Sequence, residues 1–277
     1  MKRIAALLLA ALMCIALLTG CSQKPQETAG QQNGAKEDFE YIKDKGELII
    51  GITLFAPMNY KDESGELVGF ETEFAEAVCE KLGLKPKFQV IQWSAKETEL
   101  AAKTIDCVWN GMTITEERAQ NMDISIPYLM NKQVMVVKAE NLEKYSDLAN
   151  IAGAAVVAEK KSAGESVIQT EEAFKDAKYT AVDTQAKVLM QVAAGTADIG
   201  VIDYVMSIGS IGEGTDYADL KVVETADFAE EQYGIAFRKN SPETLEKFNT
   251  AIRELAADGT LRAIAEKYKL QDLLIVE

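Results

Sequence analysis

After an apolar start and a polar stretch, the chain alternates short apolar runs with segments whose apolar residues recur every three or four positions. Glu47 to Ile52, ELIIGI, has the length and composition of a buried strand. From Phe70 to Leu82 the apolar positions are Phe70, Phe74, Ala77, Val78 and Leu82, which lie on one face of a helix. KFQVI then predicts a strand, KETELAAK a helix and DCVW a further strand. The rhythm restarts with AAVVA (Ala154 to Ala158), a helix opening at Ser162, the strand YTAV, a helix opening at Thr184 and the strand DIGVI (Asp198 to Ile202). Apolar strands separated by helices are the mark of parallel sheets covered on both faces, so the expected fold is α/β. Two such blocks predict two lobes.

Between the blocks lies NKQVMVVK (Asn131 to Lys138), a β-branched run read as extended. A second extended run, EQYGIAFRK (Glu231 to Lys239), follows the second block, and helices around Pro242 to Ala257 and Leu261 to Tyr268 close the chain. Two crossings that flank an inserted block suit a two-lobe clamp with two hinge strands. The expected boundaries are 39–132 with 233–277 for a discontinuous first lobe, and 133–232 for the second.

The N-terminus reads as a targeting device, residues 1–20. Lys2 and Arg3 precede an apolar run from Ile4 to Leu18, short for a membrane span. Leu18-Thr19-Gly20-Cys21 then resembles the lipobox of bacterial lipoproteins, in which the cysteine sulfur carries a diacylglycerol. Residues 21–38 lack an apolar period and predict a flexible tether with a reach of about 20 Å. The expected location is the outer face of the cytoplasmic membrane, reached through the lipid anchor alone.

Composition narrows the chemistry. Against 29 Lys and Arg stand 44 Asp and Glu, a net charge of −15, which argues against nucleic acid as a partner. Histidine is absent, which removes most His-based triads and catalytic zinc sites. No metal site and no cofactor are expected. Cys79 and Cys107 read either as a disulfide pair or as two buried thiols; their apolar surroundings favour thiols.

Five pieces in order carry a resemblance over nearly the whole mature chain: FAPMNYKDESGELVGFETEFAEAVCEKLG, IDCVWNGMTITEERAQNMDISIPY, AEKKSAGES, AAGTADIGVID and YGIAFRKNS…ADGTLRAIAEKY. The chain resembles the polar amino-acid branch of the solute-binding proteins of ATP-binding-cassette importers, family 3. That resemblance implies a type II periplasmic-binding-protein fold and a monomer. It also implies delivery of an amino acid to a membrane permease with its ATPase subunits, and no enzymatic activity.

The site follows from what a free amino acid needs. Its carboxylate and ammonium must both find partners when taken out of water. Arg118 can fork onto the carboxylate, which a lysine cannot match; alone, it also reads as a surface helix residue paired with a Glu. The resemblance gives Arg118 the carboxylate, with Gly111 leaving room and Thr113 offering a backbone N–H and a hydroxyl. It gives Ser162 and the N–H of Ala163 the second half of that carboxylate site. Ser162 also reads as an ordinary helix N-cap. Asp203, at the end of a strand, would take the ammonium or merely cap the next helix. Phe55 and Trp93 match pocket-wall positions, though core packing is the commoner fate of an aromatic; Trp109 reads as rim or core. Glu159 reads as a specificity residue. The pattern Ile52-Thr53 in place of a GTD-like start, together with Ile202 and Glu159, argues against the usual glutamine scheme and leaves the solute open.

Two other functions fit the same fold. A cyclohexadienyl dehydratase-like enzyme would need a general acid, for which Glu159 is the candidate. A ligand-binding module of a sensor would need a separate signalling partner.

Overall fold

The computed structural model describes residues 38–276. The signal segment, Cys21 and all but the last residue of the tether lie outside them. That last residue, Asp38, already begins a helix, one position earlier than the expected edge of the lobe.

The first block runs α1 (Asp38–Lys45), β1 (Glu47–Ile52), β2 (Tyr60–Lys61), β3 (Leu67–Val68), α2 (Phe70–Leu82), β4 (Lys85–Val90), α3 (Lys96–Ala101), β5 (Cys107–Val108), α4 (Glu116–Asn121) and β6 (Met122–Ile124). Next, β7 (Leu129–Lys138) opens the second block of α5 (Leu142–Tyr145), β8 (Ala155–Glu159), α6 (Ala163–Thr170), β9 (Lys178–Val182), α7 (Gln185–Ala194), β10 (Ile199–Asp203), α8 (Tyr204–Ser210) and β11 (Leu220–Val222). The chain returns through β12 (Glu230–Tyr233) and β13 (Ala236–Arg238) to α9 (Pro242–Ala257) and α10 (Thr260–Lys267).

These elements build two main sheets and a small antiparallel pair, β2 with β3. The first has the order β4-β1-β5-β13-β6; β1 is parallel to β4 and β5, and β13 is antiparallel to β5 and β6. The second has the order β11-β7-β10-β8-β9, with β10, β8 and β9 parallel to one another and β7 antiparallel to β10 and β11. β12 pairs with the first residues of β7. The architecture is a two-lobe α/β clamp, each lobe organised around one sheet.

The periodicities that predict the elements also place the core. On α2 the buried Phe70, Phe74 and Val78 form one stripe, and on α9 Phe248, Ala251, Ile252 and Leu255 form another. Phe237 of β13 meets Phe248 of α9 with ring centroids 4.6 Å apart, which fastens the closing helices to the first sheet. Arg238 completes that seam. Its guanidinium donates to Asp38 at 2.6 Å and Asp106 at 3.1 Å, joining α1 to the sheet.

Three expectations needed revision or resolution. The run Glu231–Lys239 is not one continuous strand. β12 belongs to the second lobe's pairing and β13 to the first sheet, so the chain changes lobes at Gly234 and Ile235. Cys79 and Cys107 are free, buried thiols. Burial pushes the Cys79 thiol up to about 12 and that of Cys107 well above its ordinary value, which keeps both protonated and unreactive. Trp109 is a core residue, edge-on to Phe74 at 5.0 Å. Among the described residues no helix is long and apolar enough to cross a membrane.

Candidate functional site

The parallel strands β8 and β10 end side by side with Glu159 and Asp203, and the turn after β8 leads into α6. The crevice beyond the carboxyl ends of parallel strands is where open α/β sheets gather ligand groups. From the other lobe, the turn after β5 and the start of α4 face the same crevice. A small, nearly filled cavity lies there. Trp93, Asn110, Gly111, Thr113, Arg118, Glu159, Ser162, Ala163, Gln185 and Asp203 line it. Of the nine residues expected from the sequence, Phe55 alone is not on its wall. Phe55 is buried one layer behind, against Gly111.

Local geometry explains several of these positions. Gly111 has φ +55°, and a Cβ there would sit 2.9 Å from Phe55 Cζ and 3.3 Å from Tyr233 Cζ. A side chain would be both strained and crowded. The Gly111 N–H donates to both carboxyl oxygens of Glu71 at 2.9 Å, so α2 holds the turn from behind. Glu71 also accepts from the Tyr128 hydroxyl. Full burial raises its pKa to about 7.

Thr115 caps α4 by accepting from the Arg118 N–H at 3.2 Å. The Arg118 side chain turns inward and is 8% exposed. It donates to the Thr113 carbonyl at 2.7 Å and, across the cleft, to the Lys161 carbonyl at 3.3 Å. It is therefore a buried cation held by carbonyls, not a surface helix residue paired with a Glu. Burial pulls its pKa down, opposed chiefly by the charges of Glu231 and Asp203. Trp93 is 5% exposed and has the Arg118 guanidinium 5.9 Å and the Lys96 ammonium 4.6 Å from its ring centroid. It serves as cavity wall and core at once.

Ser162 is the N-cap of α6 and accepts from the Glu165 N–H at 3.1 Å while lining the cavity. Asp203 stands at the N-cap of α8 but makes no side-chain capping bond. Its carboxylate accepts instead from Asn131 at 2.8 Å, from Gln133 at 2.6 Å and from Gln185. Asn131 and Gln133 also donate to Glu231, to which Thr113 donates at 3.0 Å. Burial and the Asp203 charge raise Glu231 to about 7. Glu159 is 2% exposed, and its Oε1 accepts no hydrogen bond within the chain. Burial, then the charge of Asp203, raises it to about 8. The Tyr233 hydroxyl is likewise buried without a partner.

The sequence reading missed Asn110, Gln185, Asn131, Gln133 and Glu231. A signal existed for two of them. Asn131 and Gln133 are polar residues two apart in a β-branched strand, so they share one face and must find partners there. Among the described residues no group of three or more His, Cys, Asp and Glu side chains is placed to hold a metal ion.

Two α/β lobes joined by crossing strands, with a guanidinium and carboxylates buried between them, define a two-lobe ligand-binding protein of the type II periplasmic class. The chain belongs to the bacterial extracellular solute-binding proteins, family 3, whose sequence model matches residues 48–271. The L-cystine-binding protein TcyJ of Escherichia coli (strain K12) is 28% identical over 262 residues, 92% of this chain and 92% of its own length. A substrate-binding protein of an uptake transporter from Streptococcus pneumoniae, solved with bound histidine, superimposes with a TM-score of 0.77 at 26% identity, covering 87% of this chain and 99% of that one. The ancestral amino acid-binding protein AncCDT-1, a precursor of cyclohexadienyl dehydratase, superimposes with a TM-score of 0.74 at 29% identity, covering 83% of this chain and 98% of that one.

Proposed function

We propose that the chain is an extracytoplasmic, lipid-anchored receptor that captures a polar L-α-amino acid between its lobes and delivers it to an ATP-binding-cassette importer. Residues 39–132 and 233–277 form one jaw and 133–232 the other. Arg118, with Thr113, Gly111, Ser162 and the N–H of Ala163, takes the carboxylate. Asp203 takes the ammonium. Phe55 backs the pocket, and Trp93 and Glu159 face the ligand side chain. Cys21 carries the lipid.

One observation carries this reading. A buried guanidinium from one lobe and a buried carboxylate from the other face a single cavity. A zwitterion answers both charges, and touches both lobes only when they are closed, so its binding favours closure. The relatives, a cystine-binding and an amino acid-binding protein among them, support the same ligand class.

Calorimetry with the standard L-amino acids and L-cystine tests the reading. Binding of at least one is expected, and Arg118→Ala should weaken it by about 2–5 kcal/mol, since a buried carboxylate loses its partner. Undiminished affinity in that variant rejects the assignment. The relatives' names describe binding proteins, which supports a non-catalytic role. Turnover of prephenate or arogenate by the purified protein would favour the dehydratase alternative instead.

A further inference from the structure

A zwitterion in the proposed pose answers Arg118 and Asp203 and leaves one buried carboxyl group of the cavity unanswered. Glu159 ends β8 beside the end of β10, faces the cavity and is almost fully buried. Its Oε1 has no donor within the chain. An ionised carboxyl group in such a place is costly unless a partner arrives. The charged groups around it are Asp203, Lys96 and Asp183. Two of these are acidic. The third, Lys96, directs its ammonium to the Lys161 carbonyl at 3.3 Å and lies over the Trp93 ring. Burial and the neighbouring Arg118 pull Lys96 down to about 7, so it is a weak counter-charge near neutral pH.

We infer that the ligand carries a second protonated nitrogen, and that the Glu159 carboxylate receives it. The class is an L-α-amino acid with a cationic side chain, as in lysine or arginine. This rests on the pose proposed above, with Arg118 on the carboxylate and Asp203 on the first ammonium. A neutral amide side chain can offer Glu159 a hydrogen bond, but it gives that buried carboxyl no counter-charge. A cationic side chain supplies one, so that Arg118, Asp203 and the ionised Glu159 meet one carboxylate and two cations from the ligand. Glu159 is held near 8 without ligand, so it is largely protonated at pH 7. Arrival of a cation favours the ionised form and expels that proton to the buffer.

Isothermal titration calorimetry on the purified protein at pH 7 tests the inference, in two buffers of different ionisation enthalpy. The probes are L-lysine and L-arginine against L-glutamine and L-methionine. At least one of the first two should bind about tenfold or more tighter than both neutral probes, with proton release. In Glu159→Gln the preference for that ligand over glutamine should fall by about thirtyfold, and the Glu159 share of the proton release should vanish. If glutamine or methionine binds best, and Arg118→Ala abolishes that binding, the inference fails and the amino-acid reading stands. If Glu159→Gln leaves the preference and the proton release unaltered, the inference also fails. If no amino acid binds, both readings fail together.

Discussion

Burial holds three carboxyl groups in or near the cleft above their ordinary range: Glu71 and Glu231 at about 7, and Glu159 at about 8. Each binds its proton more tightly in the native protein than in the unfolded chain, where the reference value is 4.5. Stability from these groups is therefore fully present below the unfolded value and is lost as pH rises through the native values. The ligand-free protein should melt at progressively lower temperature between about pH 5 and pH 7, and Glu159→Gln should flatten that slope; above about pH 7 Lys96, held near 7 by burial, adds a slope of the opposite sign. Calorimetric melting across that range checks it; a melting temperature that rises between about pH 5 and pH 7 would contradict the burial of these groups. Asp62, Asp183 and Asp258, whose values are lowered, act only in the acid limb. At this scale the sequence revealed the charged residues that sit in recognisable turns, Arg118 and Asp203 above all. It hid Glu231, because nothing in EEQY distinguishes a carboxylate facing a cleft from one facing water.

At the scale of elements, helix and strand positions followed from periodicity, and the changeover between lobes did not. EQYGIAFRK reads as one strand because its residues suit an extended chain throughout, while the break depends on which sheet supplies the partner strand. The closed arrangement also depends on one helix that periodicity could not orient. A Cβ on Gly209 of α8 would sit 2.7 Å from the Pro57 nitrogen and 2.8 Å from the Ala56 carbonyl carbon, in the loop after β1 on the other lobe. Backbone atoms on both sides leave little room to yield. Gly209→Ala should leave the ligand-free protein as stable or up to about 1 kcal/mol more so, because glycine disfavours helix. The same change should weaken ligand binding by about tenfold or more, because full closure then carries a clash. Thermal melting and calorimetry together read the two opposite signs; unchanged affinity would mean that closure does not bring α8 against this loop.

For the whole molecule, two blocks of alternating pattern were enough to expect two lobes, and five ordered motifs to expect the family. The tightness of the interlobe contact was not legible, since it rests on side chains far apart in sequence, such as Arg118 reaching the Lys161 carbonyl. The proposed anchor acts on the molecule as a unit. Cys21→Ala in a bacterial host should shift the protein from the detergent phase to the aqueous phase on cloud-point partition. Retention in the detergent phase would mean that something other than a lipid on this cysteine holds it.

Two of the amides that steady Asp203, those of Asn131 and Gln133, also reach Glu231 and are carried by β7, and Glu231 itself by β12; these strands adjoin the two crossings between lobes. Pivot and proposed receptor thus draw on the same strands. A lineage that retunes its nutrient preference by altering Asn131, Gln133 or Glu231 also resets how readily the jaws swing apart. Changes of diet in such a protein should proceed more easily through Glu159, which lies away from the pivot.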